Sequence, residues 1–421
     1  MRPLRFCMLT TFYPPYHFGG DAMGVQRLSR ALVRRGHHVT VIHDADAYRM
    51  LHDGPDPVDA WEPDGLRVVR LESKLGAAGA VLTQQTGRPV VHGKRIQRIL
   101  DDGEFDVVNF HNVSLVGGPG LLRYGTGIKL YMAHEHWLVC PSHVLWRHGR
   151  ELCTGRECLR CVLNYKRPPQ LWRYSGFLER ELRHVDEFIA MSEFSRAKHR
   201  EFGFPRDMTV MPYFLPGVEE KLGRTAAVSP HDRPYFLFVG RLEPIKGLDD
   251  VIPLFREFGD ADLVIAGDGT HAETLREIAG DAPNVRFLGR LAPEDLAPWY
   301  ENALALIVPS ICFETFGIIL IESMQRGTPV IARRIGPFPE IVEASGGGEL
   351  FDGPEELLQS LRRVSADPQR TRQMGETGAA AQKRLWSESA VVPQFLSIVR
   401  RVAERRGLED IVDALTEKVS A

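Results

Sequence analysis

The sequence lacks several features that would place the chain in other classes of protein. Its 421 residues contain no low-complexity tract and no apolar run of the roughly 18 to 20 residues that span a bilayer. No G-x-G-x-x-G follows the first predicted strand, which argues against a Rossmann dehydrogenase. The apolar stretch at 1–10 is too short for a signal peptide and has no small-residue cleavage site, so we expect a cytoplasmic protein.

Charge is divided unevenly along the chain. Residues 1–215 hold 29 Lys and Arg against 23 Asp and Glu, whereas residues 216–421 hold 23 against 32. A basic half is compatible with an anionic partner or an anionic membrane surface, and scattered solvated charge explains the same numbers equally well. With a formal net charge of −3, we expect no nucleic-acid partner.

Short apolar strands alternate with amphipathic helices, which is typical of parallel α/β sheets. A loop with two glycines leads from the first strand into a helix over about 22–35, and the last helix is predicted at about 394–404 with a continuation to Val419. The predicted strands are Leu4–Leu9, His38–Ile42, Asp106–Phe110, Lys129–Ala133, Glu187–Met191, Tyr235–Val239, Leu263–Ala266, Val285–Leu288, Leu304–Val308 and Pro329–Ile331.

The alternation restarts after a proline-rich stretch near 213–233, which predicts two doubly wound domains. We place the first at 1–213, the second at 214–392, and C-terminal helices at 393–421 that finish the second domain or pack on the first. Ligands of such sheets lie beyond the carboxyl ends of the strands, so two sheets facing each other would hold a ligand between them.

A cationic loop follows the strand at 235–239. It reads Gly240-Arg241-Leu242-Glu243-Pro244-Ile245-Lys246-Gly247, with Gly247 expected to lead into a helix. Arg241 can fork onto two phosphate oxygens, Lys246 adds a point charge, and a helix N-terminus beside them would add N–H groups. The loop therefore predicts a diphosphate site, with a surface arginine and lysine at a helix start as the plain alternative.

Two glutamates eight residues apart follow the strand at 304–308. Glu314 lies in the loop and Glu322 on the apolar helix after it, where a carboxylate needs a partner. The two hydroxyls of a ribose would suit Glu322, sugar hydroxyls would suit Glu314, and free N–H groups near Gly317 would approach a phosphate. A buried glutamate paired with an arginine is the structural alternative.

Together these motifs resemble a known family. The pattern S-x3-E-T-F-G-x4-E-S-M-x2-G-T-P-V-I-A over Ser310–Ala332 resembles the signature of the retaining GT-B glycosyltransferases of family 4 (glycosyltransferase group 1). The G-R-L-x3-K-G element, A-G-D-G at Ala266–Gly269 and F-L-G-R at Phe287–Arg290 follow the family order. The resemblance is weakest over 45–100 and in the cysteine-rich segment.

The resemblance implies the GT-B fold, with two Rossmann-like domains facing a cleft and a C-terminal helix returning to the first. It also implies a nucleotide-sugar donor bound mainly by the second domain, with Arg241 and Lys246 on the diphosphate, Glu322 on the ribose and Glu314 on the sugar. The residues predicted to bind the donor are Gly19, Gly20, Gly240, Arg241, Lys246, Gly267, Asp268, Glu314, Thr315, Phe316, Gly317, Ile318 and Glu322.

Histidines after two strands of the first domain complete the predicted site. His134-Glu135 resembles the family's H-[DE] element, which would place His134 at the transferred sugar, so the predicted catalytic residues are His134, Glu314, Arg241 and Lys246. Either histidine can equally be structural. Contacts to the acceptor are predicted from His111, Asn112, Glu135, His136 and Trp137.

The chain departs from the family pattern at two places. Pro212-Tyr213-Phe214 stands where the family often has P-N-G, so the resemblance does not extend to the family's donor contact at this position. The segment 336–340 replaces the commoner G-G-x-x-E.

Four of the six cysteines, Cys140, Cys153, Cys158 and Cys161, lie in a predicted cysteine-rich insertion at 140–161 of the first domain. Four thiolates suit a structural Zn²⁺, and plain buried or redox-labile thiols are the alternative.

The mechanism implied is transfer of a hexosyl unit, UDP- or GDP-linked, to a hydroxyl of a glycan, a lipid-linked or a small-molecule acceptor. Stabilising the leaving diphosphate needs no divalent ion when cationic side chains and a helix end do it, so we expect no cofactor for the chemistry. No carboxylate pair resembling that of a hydrolase stands out. A nucleotide-sugar epimerase of the same fold and a non-catalytic nucleotide- or partner-binding module are the rival functions.

Overall fold

The structure is a computed structural model that describes residues 2–52, 54–58, 60–217 and 229–416. The chain divides into two compact units. The first unit comprises Met1–Tyr213 and Val391–Ala421, and the second comprises Phe214–Ala390. No helix of the described residues has both the length and the apolar character needed to cross a bilayer.

The first unit is built on a seven-stranded parallel sheet. Its strands are β1 (Arg5–Leu9), β2 (His38–Asp44), β3 (Leu66–Leu71), β4 (Val107–Phe110), β5 (Ile128–Ala133), β8 (Glu187–Ala190) and β9 (Met208–Val210), and a separate antiparallel hairpin holds β6 (Trp146–Arg147) and β7 (Glu151–Leu152). The sheet order is β3-β2-β1-β4-β5-β8-β9. Every residue of β4 and β5 is buried, as expected for strands with both faces of the sheet covered.

Helices cover the first sheet and connect its strands. They are α1 (Gly20–Arg34), α2 (Ala45–Arg49), α3 (Ala77–Thr86), α4 (Gly93–Gly103), α5 (Cys158–Asn164), α6 (Phe177–Leu182) and α7 (Glu193–Glu201). The glycine loop after β1 does lead into a helix, and α1 ends at Arg34 just before Gly36, which has a φ of +80°.

The second unit is built on a six-stranded parallel sheet. Its strands are β10 (Tyr235–Val239), β11 (Asp262–Ala266), β12 (Val285–Gly289), β13 (Leu306–Val308), β14 (Val330–Arg333) and β15 (Gly348–Phe351), and its helices are α8 (Ala272–Ala279), α9 (Pro293–Asn302), α10 (Ile318–Gln325), α11 (Phe338–Ser345), α12 (Pro354–Ala366) and α13 (Pro368–Leu385). The sheet order is β12-β11-β10-β13-β14-β15, with all neighbours parallel.

The C-terminal helices belong to the first unit, one of the two outcomes that the sequence left open. α14 (Glu388–Arg406) buries Phe395 with its ring 6.1 Å from that of Phe6 in β1, and Arg405 pairs with Glu187 at 2.8 Å. Gly407, with a φ of +66°, separates α14 from α15 (Glu409–Thr416). The predicted continuation to Val419 runs beyond the described residues.

Five strands were not predicted, and one expected helix is absent. β3 carries two arginines and has a mixed burial pattern, β9 and β15 are short strands at sheet edges, and β6 and β7 form a hairpin of two-residue strands. No α-helix begins at Gly247. The chain instead forms three short 3₁₀ turns, Pro244–Lys246, Leu248–Asp250 and Ile252–Arg256. The prolines at 244 and 253 have no N–H to donate, which hinders a regular ladder there.

Candidate functional site

The order of strands reverses at β10 in the second unit. β11 lies on one side of β10 and β13 on the other, so the loops that follow β10 and β13 diverge from adjacent strands. Such a switch point leaves a crevice beyond the carboxyl ends of the strands, which is where doubly wound sheets bind ligands. The two loops are 240–247 and 309–317, the segments with the predicted diphosphate and sugar residues.

Glycines let these loops approach each other closely. Gly247 has a φ of +73°, and a Cβ there would lie 2.2 Å from the carbonyl oxygen of Pro309. Gly267, at the end of β11, has a φ of +154°, and a Cβ would lie 1.8 Å from the carbonyl oxygen of Gly240. Only glycine fits either position, because a side chain would displace backbone atoms of the neighbouring loop.

The structure brings together two residues that the sequence placed on different ligand groups. Lys246 Nζ donates to Glu314 Oε1 at 2.6 Å, with both side chains half-buried. Burial alone would lower the pKa of Lys246, but the charge of Glu314 and the hydrogen bond to it outweigh burial and raise this pKa. The lysine is therefore held charged beside the crevice.

Arg241 lies nearer to solvent than Lys246. Its side chain is 56% exposed and pairs with Glu243 at 2.6 Å. An exposed pair of this kind contributes little stability, so an anionic ligand can compete for the guanidinium at low cost.

The amide groups of the site come from α10. Gly317 precedes this helix and has no side chain to cap it, and the N–H of Leu320 donates to the Gly317 carbonyl at 3.0 Å. The N–H groups of Ile318 and Ile319 are therefore the ones that α10 offers to an anion. Phe316 and Gly317 are buried, and Thr315 and Ile318 are half-buried. The 3₁₀ turns after Gly247 carry no comparable helix dipole, so of the two helix starts predicted to offer N–H groups to a phosphate, the structure forms the one at α10.

Glu322 lies one turn into α10 and is half-buried. Tyr300 on α9 lies near this carboxylate. Burial of its hydroxyl, and secondly the negative charge of Glu322, raise the pKa of Tyr300 well above its usual value. Among the described residues this buried hydroxyl has no hydrogen-bond partner. The sequence analysis missed Tyr300, which no motif marks and which only the folding of α9 against α10 brings to Glu322.

The remaining predicted residues of the donor set lie in exposed or intermediate turns. Asp268 follows β11 and accepts from the N–H of Gly269 at 2.8 Å through its own carboxylate. In the first unit, Gly19 precedes α1 with extended backbone and Gly20 is its exposed first residue.

Two histidines of the first unit form a buried hydrogen-bonded chain with a tyrosine. His111 and His134 follow the neighbouring strands β4 and β5, and His111 Nδ1 lies 2.7 Å from His134 Nε2. His134 Nδ1 is hydrogen-bonded to the hydroxyl of Tyr213. Burial lowers the pKa of His134 to about 4, and burial with the neighbouring His134 lowers that of His111 well below its usual value. Both rings are therefore neutral near pH 7.

Tyr213 was noted in the sequence only as a departure from a family pattern. The ring fits because residue 24 of α1 is glycine: a Cβ there would lie 2.4 Å from Cε1 of Tyr213. The contact with His134 spans 79 residues of sequence, which no local pattern could have indicated.

The other predicted acceptor contacts differ in accessibility. Glu135 is partly exposed and bonded to His143 Nδ1 at 2.7 Å, and Asn112 accepts from the Ser114 hydroxyl at 2.7 Å. His136 and Trp137 are each 1% exposed and pack in the interior, so in this conformation they present almost no surface to a ligand.

One set of carboxylates and a histidine in the first unit has the spacing of metal ligands. Ligand atoms of Asp44, Asp46 and His92 lie within 4.8 Å of one another. Their own neighbours already use the oxygens, because Asp44 caps α2 and Asp46 accepts from the N–H and hydroxyl of Ser73 at 2.8 Å each. The two carboxylates therefore stabilise α2 and its contact with Ser73, and we do not assign a metal to them.

Two family models match the sequence. Residues 18–219 match the model described as Glycosyltransferase Family 4, and residues 221–381 match the model described as Glycosyl transferases group 1. An uncharacterised glycosyltransferase of Methanocaldococcus jannaschii is 33% identical over 396 residues, which cover 86% of this chain and 90% of that protein. An MMP alpha-(1->4)-mannosyltransferase of Mycolicibacterium hassiacum is 25% identical over 436 residues, covering 94% and 98% of the two chains.

Solved structures with low sequence identity share the fold. Sucrose-phosphate synthase from Thermosynechococcus elongatus superposes with a TM-score of 0.73 at 19% identity, covering 96% of this chain and 100% of that one. Anabaena HepE in complex with UDP-glucose gives a TM-score of 0.61 at 17% identity, with coverages of 96% and 99%. The motifs predicted this fold and family correctly: the fold is GT-B, and the chain belongs to the group 1 glycosyltransferases of family 4.

Proposed function

We propose that this glycosyltransferase moves a hexosyl unit from a UDP- or GDP-linked sugar to a hydroxyl of a glycan, a lipid-linked or a small-molecule acceptor, with retention at the anomeric carbon. The contact between Lys246 and Glu314 at the switch point of the second sheet carries the proposal. It joins a cation suited to phosphate and a carboxylate suited to sugar hydroxyls at one place. The UDP-glucose held by a solved protein of the same fold supports a nucleoside diphosphate donor.

The diphosphate would take over the cations of the second unit. Lys246 would turn from Glu314 to a phosphate oxygen, Arg241 would leave Glu243 to bind a second oxygen, and the N–H groups at the start of α10 would face the β-phosphate. These groups stabilise the charge that develops as the sugar–phosphate bond breaks. Glu314, released from its lysine, would then accept from hydroxyls of the sugar.

Glu322 and Tyr300 would hold the ribose. A carboxylate accepts from both ribose hydroxyls, and the unpartnered hydroxyl of Tyr300 beside it gives the new arrangement a further hydrogen-bonding group. His134 would contact the transferred sugar as a neutral ring, oriented by Tyr213 and His111.

The acceptor hydroxyl would attack on the face from which the diphosphate leaves, with the leaving phosphate as its base. Because protein cations stabilise the leaving group, we expect full activity in EDTA after a short incubation, measured as sugar transfer with and without Mg²⁺ or Mn²⁺. Reversible dependence on either added ion would contradict this mechanism, and so would an inverted anomeric product or a trapped covalent glycosyl-enzyme.

A thermal-shift screen of nucleotide sugars tests the donor site. We expect one UDP- or GDP-linked hexose to raise the Tm of the wild-type chain and to leave Glu322→Ala unshifted, since binding stabilises only the state that binds. Glu355→Ala, an exposed glutamate on α12, is the matched control and should keep the shift. Product analysis then separates transfer from epimerisation: a free epimeric sugar with release of the nucleotide would identify an epimerase, and failure of every donor to bind would contradict the proposal.

We also propose that the first unit binds peripherally to the surface of an anionic membrane. Such binding would suit a lipid-linked acceptor. Leu159, Leu163, Leu171 and Tyr174 are each 47% to 66% exposed in a segment rich in arginine. Apolar side chains among cations are typical of surfaces that bind anionic bilayers. Sedimentation with vesicles of phosphatidylserine and phosphatidylcholine at low salt tests this, and no more binding than to phosphatidylcholine alone would contradict it.

A further inference from the structure

Residues 140–165 form a small substructure after β5, here called the cysteine module. It contains the two-residue strands of the β6–β7 hairpin and the seven-residue α5. Cys140 precedes the hairpin, Cys153 follows it, and Cys158 and Cys161 lie on the first turn of α5. Elements this short bury little apolar surface, and such substructures usually need a cross-link to hold one conformation.

The four cysteines of the module line a single cavity of about 20 Å³. A volume of this size holds one water-sized particle and is too small for a cluster of several metal atoms. All four thiols are free of disulfide bonds. The fold thus gathers around one small space thiols that are up to 21 positions apart in sequence.

The sulfur atoms do not stand at the spacing of a closed metal site. A tetrahedral zinc with Zn–S bonds of about 2.3 Å needs sulfur atoms about 3.8 Å apart. Among the described residues, the three-ligand clusters within 4.8 Å do not include these cysteines, so the sulfurs stand further apart than in a closed site. Rotation about the cysteine side-chain bonds can bring them inward, because the space between them is unfilled.

One backbone N–H already points at a sulfur of the cavity. The N–H of His148 donates to Cys161 Sγ at 3.2 Å. His143, Leu145 and His148 all have positive φ in the turns between the first two cysteines, a conformation that surrounding contacts must hold in place. With Leu145 and Val162 as the buried aliphatic side chains of the module, apolar packing gives little of that support.

A nearby guanidinium is placed to balance negative charge. Arg173 packs against the rings of Trp137 and Trp172, 5.2 and 4.6 Å from their centres, and thiolates at Cys140 and Cys158 would act on its charge. Within the described part of the chain Arg173 forms no ion pair with a carboxylate. Four thiolates around one divalent cation carry a net charge of −2, which this arginine would partly offset.

The module is bonded directly to the loop with the predicted catalytic histidine. The N–H of Cys140 donates to the carbonyl of His136 at 2.8 Å, and the N–H of His136 donates to the carbonyl of His143 at 3.0 Å. His143 in turn bonds Glu135 through its ring. Any group that fixes the cysteines therefore also fixes the residues that follow His134.

We propose that Cys140, Cys153, Cys158 and Cys161 bind one Zn²⁺ as a tetrahedral thiolate site, and that this ion fixes the loop at 134–143. Soft thiolate ligands in tetrahedral arrangement select zinc among the common divalent ions. Binding releases four thiol protons as four Zn–S bonds form, with no change of oxidation state. The ion is structural and takes no part in sugar transfer, so the proposal is independent of the donor and acceptor assignments.

Metal analysis of the full-length chain tests the site. We expect about one zinc per chain after purification under reducing conditions. Elemental mass spectrometry measures the metal content, and a zinc-binding dye measures the zinc released when the thiols are modified. Cys158→Ser with Cys161→Ser should lose the zinc, and Cys7→Ala, which removes a thiol in β1 outside the module, should keep it. Cobalt in place of zinc should give the visible absorption of a tetrahedral cobalt–thiolate centre.

Three results would overturn the proposal. One is a wild-type chain that is folded and takes up no zinc or cobalt. The second is zinc retained by the double serine variant, and the third is iron or a pair of disulfides at the four cysteines. If the double variant does not fold, titration of wild-type thiols with a mercurial decides, because zinc release must track the modification of these four cysteines.

Hydrogen exchange separates a zinc that fixes the loop from one that binds the surface. Removal of zinc from the wild-type chain should speed amide exchange at 134–143 several-fold, because the hydrogen bonds at Cys140 and His136 would open more often. Exchange in α4, which has no cysteine, should stay unchanged. Unaltered exchange at 134–143 would refute the role in the loop even if zinc binds.

Discussion

At the scale of single residues, carboxylates hold the two cations of the proposed donor site, where a diphosphate would take their place. Glu314 keeps Lys246 charged and Glu243 holds Arg241. Both cations are thus positioned before a diphosphate binds, which lowers the ordering cost of binding. The exchange of an internal carboxylate for a phosphate is the event on which the proposed mechanism depends.

Removing the lysine tests this exchange. We expect Lys246→Ala to lower kcat by about 100-fold, since loss of one preorganised group at a developing charge typically costs that much or more. Lys383→Ala, an exposed lysine on α13, is the matched control and should leave kcat unchanged. A kcat near that of the wild-type chain, with only KM raised, would show that Lys246 binds the ground state alone.

Buried histidines of the first unit make stability depend on pH. Burial lowers the pKa of His43, His134 and His199 from 6.5 to about 4. Between pH 6.5 and about pH 4, these histidines are protonated in the unfolded chain but neutral in the folded chain. Stability is therefore complete above about pH 6.5 and is lost as the pH falls through about 4, by up to ~1.4 kcal/mol per pH unit for each ring.

Urea unfolding across this range checks the effect. We expect the free energy of unfolding to fall between about pH 6.5 and about pH 5, and the fall to be smaller in His199→Asn, whose amide can still donate to the carbonyl of Ser195. His38→Asn, at an exposed histidine, is the control. Equal pH slopes in the wild-type chain and His199→Asn would contradict the assignment to His199.

At the scale of elements, the proposed donor site depends on how closely neighbouring loops approach. The loops after β10, β11 and β13 approach each other at glycines, and the side chains of Lys246 and Glu314 join two of these loops. The 3₁₀ turns after Gly247 keep the cationic loop short, and α10 provides the helix N-terminus. The close approach of the loops brings the charged side chains and the amide groups of α10 to one place.

A methyl group at Gly247 should disturb the close approach of the loops after β10 and β13. In Gly247→Ala the Cβ would lie 2.2 Å from the carbonyl oxygen of Pro309, and its φ of +73° is unfavourable for alanine. We expect a loss of stability of more than about 1 kcal/mol and weaker donor binding, measured by urea unfolding and calorimetry. Gly259→Ala has no atom within 4 Å of the new Cβ and should be neutral in both. Unchanged donor affinity in Gly247→Ala would disprove the need for this close approach.

At the scale of the whole molecule, the end of the chain completes the unit that contains its beginning. α14 buries Phe395 beside Phe6, and its arginines pair with residues at the start of β8. The first sheet therefore lacks part of its cover until the last residues are present, so the two units cannot be expressed apart by cutting the chain once.

Replacing Phe395 by alanine measures how much the packing of α14 stabilises the first sheet. Phe395 is fully buried, so Phe395→Ala should destabilise the first unit by ~3 to 5 kcal/mol. Arg401→Ala, on the exposed side of the same helix, should cost less than about 0.5 kcal/mol. Comparing amide hydrogen exchange in β1 and β8 of the first sheet with exchange in β10 of the second shows which unit loses stability. A uniform effect on both sheets, or none on β1, would contradict the assignment of α14 to the first unit.

Much of the fold could be predicted because its signals are local. Strands such as Tyr235–Val239 are short apolar runs bounded by turn residues, and the boundaries predicted from them agree with the structure within two residues for most strands. The missed strands of the two parallel sheets, β3, β9 and β15, carry charge or lie at edges, where burial no longer produces a clear pattern, and the missed β6 and β7 are only two residues long.

By itself the sequence determined the family, the alternation of strands and helices, and which loops contain the cations and glutamates, because these follow from residue types at short spacing. Only the tertiary structure decided which of them meet. Lys246 and Glu314 are 68 positions apart, and His134 and Tyr213 are 79 apart. Their contacts depend on strand order and on glycines that admit a neighbouring loop or ring, and the packing of distant elements sets both.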